Sequence, residues 1–259
     1  MKEKIYTIPV MDAFHTDCEC PLCILEKKTE DEAIEYTLGP SMMEPDSRIQ
    51  SNEKGFCKNH YKLLYAKNNR LSLALILDTH ILETNKKLFF DLENKLNELN
   101  KHSHANGIKK LFSKFSSKPS ETADIFHQLI DVLNTLENTC VICEKISYTM
   151  KRYMDVIYYL WQNEKEFKEL MKNKKGFCLP HFKILLEGAK QHLSSNKQWE
   201  FLTDVLPTQM ENMKRIQEEV NWFTKKFDYR NNDAPWGNSK DAVPRAIEKN
   251  VGFSRLEQE

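Results

Sequence analysis

The sequence NEKGFCKNHYKLL at residues 52–64 recurs as NKKGFCLPHFKIL at residues 173–185, with eight of the thirteen positions identical. A Cys-x-x-Cys pair precedes each copy: Cys20 with Cys23, and Cys140 with Cys143. Nearly the same offset, 120 or 121 residues, separates the corresponding elements. The chain is therefore a tandem duplication, and each half carries the same ordered set, a Cys-x-x-Cys pair followed by a Cys-x-x-His pair.

The duplication predicts four segments. The halves cover residues 1–100 and 121–228, and each is predicted to form a helical metal-binding repeat. Residues 101–120 are rich in serine and lose helical periodicity, so we interpret them as a linker. Residues 229–259 form a C-terminal arm that we expect to pack on the helices, because apolar residues recur in it.

Composition and periodicity both indicate an all-α protein. Only seven glycines and nine prolines occur in 259 residues, too few for the turns of a many-stranded β fold. Apolar residues recur at steps of three and four, as on one face of a helix. These stretches are residues 74–99, 125–136, 146–160 and 213–227. We therefore predict two tandem-duplicated helical lobes, each held by a Cys3His metal site, and the C-terminal arm.

The repeated cysteines and histidines have the types and spacing of zinc ligands. Cys3His is one of the usual tetrahedral zinc sets, and residues three apart share one face of a helix. Pro21 and Pro180 lie inside ligand pairs, and proline is tolerated in a first helical turn, so we place the pairs at helix N-termini. The predicted ligands are Cys20, Cys23, Cys57 and His60 in the first half and Cys140, Cys143, Cys178 and His181 in the second.

Two zinc ions are the predicted cofactors, and a closed four-ligand shell indicates structural rather than catalytic metals. An iron–sulfur cluster stays open as an alternative. The pairing is also open, because spacing does not decide whether a Cys-x-x-Cys shares its ion with the GFCxxH motif of its own half or of the other half. Cys18 is the remaining cysteine; Asn138 stands at the corresponding position of the second half, and the role of Cys18 is open.

Charge and hydropathy exclude several classes of function. Lys+Arg and Asp+Glu both number 38, so the formal net charge is zero and we expect no nucleic-acid binding. The N-terminus lacks the apolar core of a signal peptide, and the most apolar stretch, residues 71–77, is much shorter than a membrane span. We therefore expect a cytoplasmic protein that binds no membrane and keeps its thiols reduced. No catalytic constellation is visible, which favours a non-enzymatic role.

Several motifs together resemble an uncharacterised bacterial family, a domain of unknown function. They are IYTIPV at residues 5–10, CECPLC at 18–23, the two GFCxxH copies, and DAPWGNSKDAVPR at 233–245. The resemblance covers nearly the whole chain and implies no activity. Members of that family are sometimes labelled as substrate-binding proteins of ABC transporters, but this sequence shows neither the export signal nor the α/β pattern that the label requires.

The sequence supports three functional hypotheses. The first is a zinc-binding helical protein that acts as an interaction or regulatory module with a protein partner. The second is a thiol-based redox or metal sensor that uses Cys18 and the Cys-x-x-Cys pairs. The third is a small-ligand binder or enzyme that uses a cleft between the lobes, with Trp236 and Arg245 as possible ligand or partner contacts. The biological role and the oligomeric state are open.

Overall fold

The computed structural model describes residues 4–103 and 119–253, with side chains for residues 5–90 and 126–253. All regular structure in these residues is helical, which confirms the predicted all-α class. The α-helices are α1 (Lys4–His15), α2 (Pro21–Leu38), α3 (Pro45–Lys54), α4 (Lys58–Ala66), α5 (Arg70–Ser103), α6 (Pro119–Asn138), α7 (Val141–Asn163), α8 (Lys165–Lys172), α9 (Leu179–His192), α10 (Ser195–Lys225) and α11 (Ala242–Val251). No described helix combines the length and the apolar character that crossing a membrane requires.

Four helices begin at the predicted ligand pairs. Cys57 and Cys178 have extended backbone and are the N-caps of α4 and α9. Cys20 and Cys140 stand directly before α2 and α7. Pro21 is the first residue of α2, where the N–H that proline lacks has no helical partner. All four pairs therefore lie at helix N-termini, as the prolines indicated.

The predicted linker is helical at both of its ends. α5 continues through Ser103, and α6 begins at Pro119. Residues 104–118, the remainder of the predicted linker, lie outside the described residues.

The described chain divides into two compact units that do not follow the duplication. The first unit consists of residues 1–29 and 147–259, and the second of residues 30–146. The boundaries fall inside α2 and α7. Each unit therefore contains sequence from both predicted halves, because the contacts that define a unit join segments far apart in the chain.

The second unit has its own apolar core. The helices α2, α4, α5 and α7 supply most of its residues, and the turn before α4 supplies Phe56. The buried members are Ala33, Ile34, Leu38, Phe56, Leu64, Leu73, Ile76, Cys140 and Ile142. One predicted ligand, Cys140, is thus also part of the core.

Aromatic side chains fill the core of the first unit. The ring of Phe14 in α1 lies 4.8 Å from that of Phe167 and 6.3 Å from that of Phe177, measured between centroids. Trp161 of α7 packs edge-on against Phe201 of α10 at 5.0 Å. Aromatic pairs at these separations add stabilisation to that of apolar burial alone.

The C-terminal arm packs on the first unit. Its helix α11 has Pro244 in the first turn and contacts α9 and α10. The ring of Trp236 lies 5.7 Å from that of Phe223 in α10. Trp222 donates its indole N–H to the carbonyl of Pro235 at 3.0 Å. Ring packing and a hydrogen bond thus both attach the arm to α10.

Close packing of α9 against α7 depends on a glycine. A β-carbon at Gly188 would lie 2.5 Å from the Oη of Tyr158. That hydroxyl donates to the carbonyl of Leu185 at 2.6 Å, and Tyr158 is 1% exposed, so the ring has little freedom to move. The glycine is therefore a packing requirement in a helix where alanine would otherwise be preferred.

We expect Gly188→Ala to lower the free energy of unfolding by about 1–3 kcal/mol, since overpacking outweighs the gain in helix propensity. The measurement is urea denaturation of the parent, Gly188→Ala, Tyr158→Phe and the double variant. Removing the hydroxyl makes room for the new methyl group, so Gly188→Ala should cost less in the Tyr158→Phe background. Strictly additive effects would contradict this packing explanation.

Candidate metal centres

The eight predicted ligands converge in two clusters of four. Within each cluster the candidate donor atoms all lie within 4.8 Å of one another. Cluster A contains Cys20, Cys23, Cys178 and His181 and lies in the first unit; cluster B contains Cys57, His60, Cys140 and Cys143 and lies in the second.

The clusters pair the ligands across the two halves of the sequence. In cluster A, the Cys-x-x-Cys pair of the first half meets the GFCxxH motif of the second half. In cluster B, the Cys-x-x-Cys pair of the second half meets the GFCxxH motif of the first half. A Cys3His site made within each half is therefore not what the structure shows. Spacing along the chain did not decide between pairing within a half and pairing across halves, because each pair of predicted ligands lies at the end of a single helix. Only the packing of the helices brings two pairs together.

Two thiol sulfurs in each cluster stand about as far apart as two ligands of a tetrahedral metal site. The Sγ atoms of Cys23 and Cys178 are 3.6 Å apart in cluster A, and those of Cys57 and Cys143 are 3.8 Å apart in cluster B. Zinc–sulfur bonds of about 2.3 Å place two sulfurs of a tetrahedron about 3.8 Å apart. A disulfide would bring the sulfurs to about 2.05 Å, and all seven cysteines are free.

The converging thiols favour a bound cation. Hydrogen bonds with Cys20 and Cys23 lower the pKa of Cys178 to about 4. Hydrogen bonds to Cys178 and Cys20, together with burial and repulsion between thiolates, raise the pKa of Cys23. In cluster B, burial and the charge of Cys140 raise the pKa of Cys143. The clusters thus stabilise the charge of one thiolate but oppose ionisation of the neighbouring thiols. A bound dication would neutralise the repulsion between thiolates.

Each histidine has a carboxylate behind it. The Nδ1 atoms face the thiols, 3.1–3.6 Å from the Sγ atoms. His60 Nε2 lies 3.2 Å from Glu30 Oε1, and His181 Nε2 lies 3.5 Å from Glu26 Oε2. Burial opposes protonation of His60, but hydrogen bonds with Cys140 and Glu30 outweigh it and raise its pKa to about 10. In a metal site, such a carboxylate fixes the tautomer and leaves Nδ1 for the ion.

A glycine in an unusual conformation precedes each GFCxxH helix. Gly55 and Gly176 have φ of 61° and 76°, a region that side chains disfavour. A β-carbon would lie 2.6 Å from His80 Nε2 at Gly55, and 2.7 Å from Gln209 Oε1 at Gly176. The Gln209 amide accepts from the N–H of Phe177 at 2.8 Å and donates to its carbonyl at 2.9 Å. Each glycine thus permits the turn that leads into the helix carrying the Cys-x-x-His pair.

The chain itself joins the two ligand-bearing segments of cluster B. The N–H of Val141 donates to the carbonyl of Gly55 at 3.2 Å. The hydroxyl of Thr139 donates to the carbonyl of Lys54 at 3.0 Å. These bonds hold the start of α7 against the turn before α4 without help from a third segment.

Cluster A uses the C-terminal arm for the same purpose. Pro21 stands where the second half has Val141, and proline has no N–H to donate. Lys249 of α11 instead donates to the carbonyl of Glu19 at 2.6 Å and to that of Lys175. The side chain of Lys249 is 1% exposed, so burial lowers its pKa, while the Glu19 carboxylate opposes the shift. The arm thus cross-links the two segments that carry the ligands of cluster A.

Arg245 takes part in a partly buried ion network beside this cross-link. Its guanidinium contacts the carboxylate of Glu219 and lies 3.4 Å from Glu19 Oε1. Arg215 of α10 pairs with the other oxygen of Glu19 at 2.6 Å. The network ties the arm and α10 to the residue directly before the first ligand of cluster A. A ligand or partner contact through Trp236 or Arg245 stays a prediction.

Cys18 borders cluster A without belonging to its four donors. A pocket of about 140 Å³ lies against the cluster, and its walls include Cys18 and the three ligand thiols together with Lys27, Glu248 and Phe253. The Lys27 ammonium lies 4.9 Å from the centroid of the Phe253 ring. The arm therefore forms part of the wall beside the cluster.

Sequence reasoning missed Glu26, Glu30 and Lys249. Glu26 follows Cys23 by three residues, so helical spacing alone places it on the ligand-bearing face of α2. Glu30 follows after four more residues on the same helix. No comparable signal marks Lys249, because its position beside cluster A results from the packing of the arm.

Residues 1–257 match the sequence profile of a family of unknown function (DUF6062), so the chain belongs to that family. This confirms the resemblance to an uncharacterised family. No curated protein and no solved structure matches the chain. The family supplies no activity.

The cross-half pairing predicts which cysteine variants share an ion. In Cys20→Ser combined with Cys178→Ser, both changes fall in cluster A, so we expect the loss of one metal equivalent. In Cys20→Ser combined with Cys57→Ser, each change disables a different cluster, so we expect the loss of both. Metal content of the purified proteins, measured by mass spectrometry, distinguishes the pairings, since within-half sites would give the reverse result.

The arm should strengthen metal binding at cluster A. We expect Lys249→Met to lower the affinity of cluster A for its metal ion on the order of tenfold, because changes to residues behind metal ligands commonly have effects of this size. The measurement is competition with a chelator of known affinity. Lys240→Met, an exposed lysine of the same arm, is the control and should leave both equivalents unchanged. Equal weakening of both equivalents by Lys249→Met would show a general loss of stability instead.

Proposed function

We propose that this member of a family of unknown function is a zinc protein whose two metal ions hold its helical units in their folded form. The observation that carries the proposal is the convergence of the eight ligands into two four-donor clusters with the sulfur separations of a zinc tetrahedron. The donors come from helix ends that are distant in sequence, so one ion in each unit would join segments that local structure leaves separate.

Zinc is the metal that the donor set favours. Three thiolates and one imidazole in tetrahedral arrangement suit zinc, which has no geometric preference of its own. An iron–sulfur cluster places iron and sulfide atoms between its protein ligands, so ligands on different irons stand further apart than the 4.8 Å that contains all four donors of each cluster here.

A structural role follows from the number of ligands. Four protein donors close a zinc shell, and a catalytic zinc keeps a position for water or substrate. We therefore propose that the metals shape a scaffold whose surface acts as an interaction or regulatory module. A reducing compartment such as the cytoplasm suits this role, because it keeps the thiols available to the metal.

Protein purified without added metal should contain two zinc equivalents, and strong chelation should unfold it cooperatively. The reason is that structural zinc contributes about 10–16 kcal/mol of apparent binding energy, as much as the whole net stability of a typical domain. The measurements are native mass spectrometry and circular dichroism during chelation.

Cys18→Ser is the matched control for these measurements, because its thiol lies outside both donor sets. It should retain two equivalents, whereas Cys57→Ser and Cys178→Ser should each lose one. A folded, metal-free parent protein would contradict the proposal.

A further inference from the structure

We propose that cluster B is a site of reversible thiol–disulfide exchange, in which Cys143 reacts with a small hydrophilic disulfide and Cys57 then forms an intramolecular disulfide that releases the metal. The inference rests on the proposed function, because the ion released is one of the two zinc ions assigned above. Cluster A keeps its ion under the same conditions.

Exposure separates the two clusters. The exposed fractions in cluster A are 4% for Cys20, 9% for Cys23, 1% for Cys178 and 3% for His181. In cluster B, Cys143 is exposed and Cys57 is partly exposed, while Cys140 and His60 are each 4% exposed. Exchange requires a thiolate that the disulfide can approach in line with its S–S bond, so access decides which cysteine reacts. Cys143 meets that requirement.

The pocket beside cluster A gives a disulfide less access to the thiols than the exposed Cys143 does. The pocket is small, with a volume of about 140 Å³. Part of its wall is the arm, and Gly252 lies so close to Cys178 that a β-carbon there would be 3.8 Å from the sulfur. These walls and the burial of the three thiols hinder the in-line approach of a disulfide to cluster A.

Cys57 is placed to resolve the mixed disulfide. Its Sγ lies 3.8 Å from that of Cys143, so the two sulfurs approach by about 2 Å to form a bond. Cys57 is the N-cap of α4, and Cys143 lies in the first turn of α7, so both are at helix ends. Cys140 is buried and accepts the N–H of Cys143 at 3.5 Å, which favours Cys57 as the second thiol.

The two steps balance in atoms and electrons. In the first, the Cys143 thiolate attacks one sulfur of the external disulfide, its S–S bond breaks, and one thiolate leaves. In the second, the Cys57 thiolate attacks Cys143 Sγ, the mixed disulfide breaks, and the second thiolate leaves. Two protein thiolates are oxidised, and the external disulfide is reduced to two thiolates. Only Cys140 and His60 would then remain as ligands of a zinc dication, too few for the four-ligand shell of a structural site.

Hydrogen bonds that do not involve the metal keep the oxidised site assembled. Val141 and Thr139 remain bonded to the carbonyls of Gly55 and Lys54. The ammonium of Lys54 also pairs with Glu144 of α7 at 2.5 Å. The ligand-bearing segments therefore stay adjacent when the ion leaves, and a reductant with zinc can rebuild the site.

The test treats the zinc-loaded full chain with oxidised glutathione and follows zinc with a chromogenic indicator. We expect release of one equivalent, at least tenfold faster than the second, and peptide mapping that finds a Cys57–Cys143 disulfide. Dithiothreitol and added zinc should restore the original metal content. Metal content before treatment tests the proposed function separately, and the identity of the disulfide can be read even in protein that lacks metal.

Matched variants keep a fourth ligand in each cluster. Cys143→His replaces the reactive thiol with another zinc ligand, so cluster B should stay filled. This variant should release neither of its two zinc equivalents. Cys18→Ser, whose thiol lies outside both donor sets, is the control and should still release one equivalent. Release of both equivalents at one rate, release from Cys143→His at the parent rate, or a disulfide other than Cys57–Cys143 would overturn the inference.

Discussion

Three thiols and an imidazole within 4.8 Å of one another form a stable group only when a cation lies among them or protons cover their charge. Both compact units contain such a group, and in each one the donors stand at helix N-termini. Backbone N–H groups and the helix dipole favour negative charge at that end, so the helices that carry the ligands also stabilise thiolates. Cys140 shows how closely the group is linked to folding, since it is a cluster donor and a member of the apolar core.

One difference between the repeats gives the clusters different surroundings. In cluster B the N–H of Val141 bonds the two ligand segments, and the corresponding residue of cluster A is Pro21. The proline begins α2 well, but it removes a hydrogen-bond donor from the joint. Lys249 of the arm supplies donors there, and the arm covers the cluster as it does so. The arm thus contributes to the burial of cluster A.

The sequence of the C-terminal arm does not indicate how the arm packs in the structure. Trp236 and Arg245 stood out as possible binding residues because of their side chains. In the structure, Trp236 packs on Phe223, and Arg245 joins an ion network with Glu219. Lys249 drew no attention in the sequence, yet it is buried against backbone carbonyls beside cluster A. A lysine in an amphipathic helix is usually solvated, and only the packing of α11 shows otherwise.

The sequence by itself determined the helical class, the four ligand pairs and their places at helix N-termini. These features are local: helical periodicity, a proline in a first turn and a glycine before Phe-Cys each depend on neighbouring residues. Only the tertiary structure decided which pairs share a cluster, which carboxylates stand behind the histidines and which cluster is exposed. Those outcomes depend on contacts between residues about 30 to 230 positions apart, and spacing along a chain carries no information about which helix ends meet.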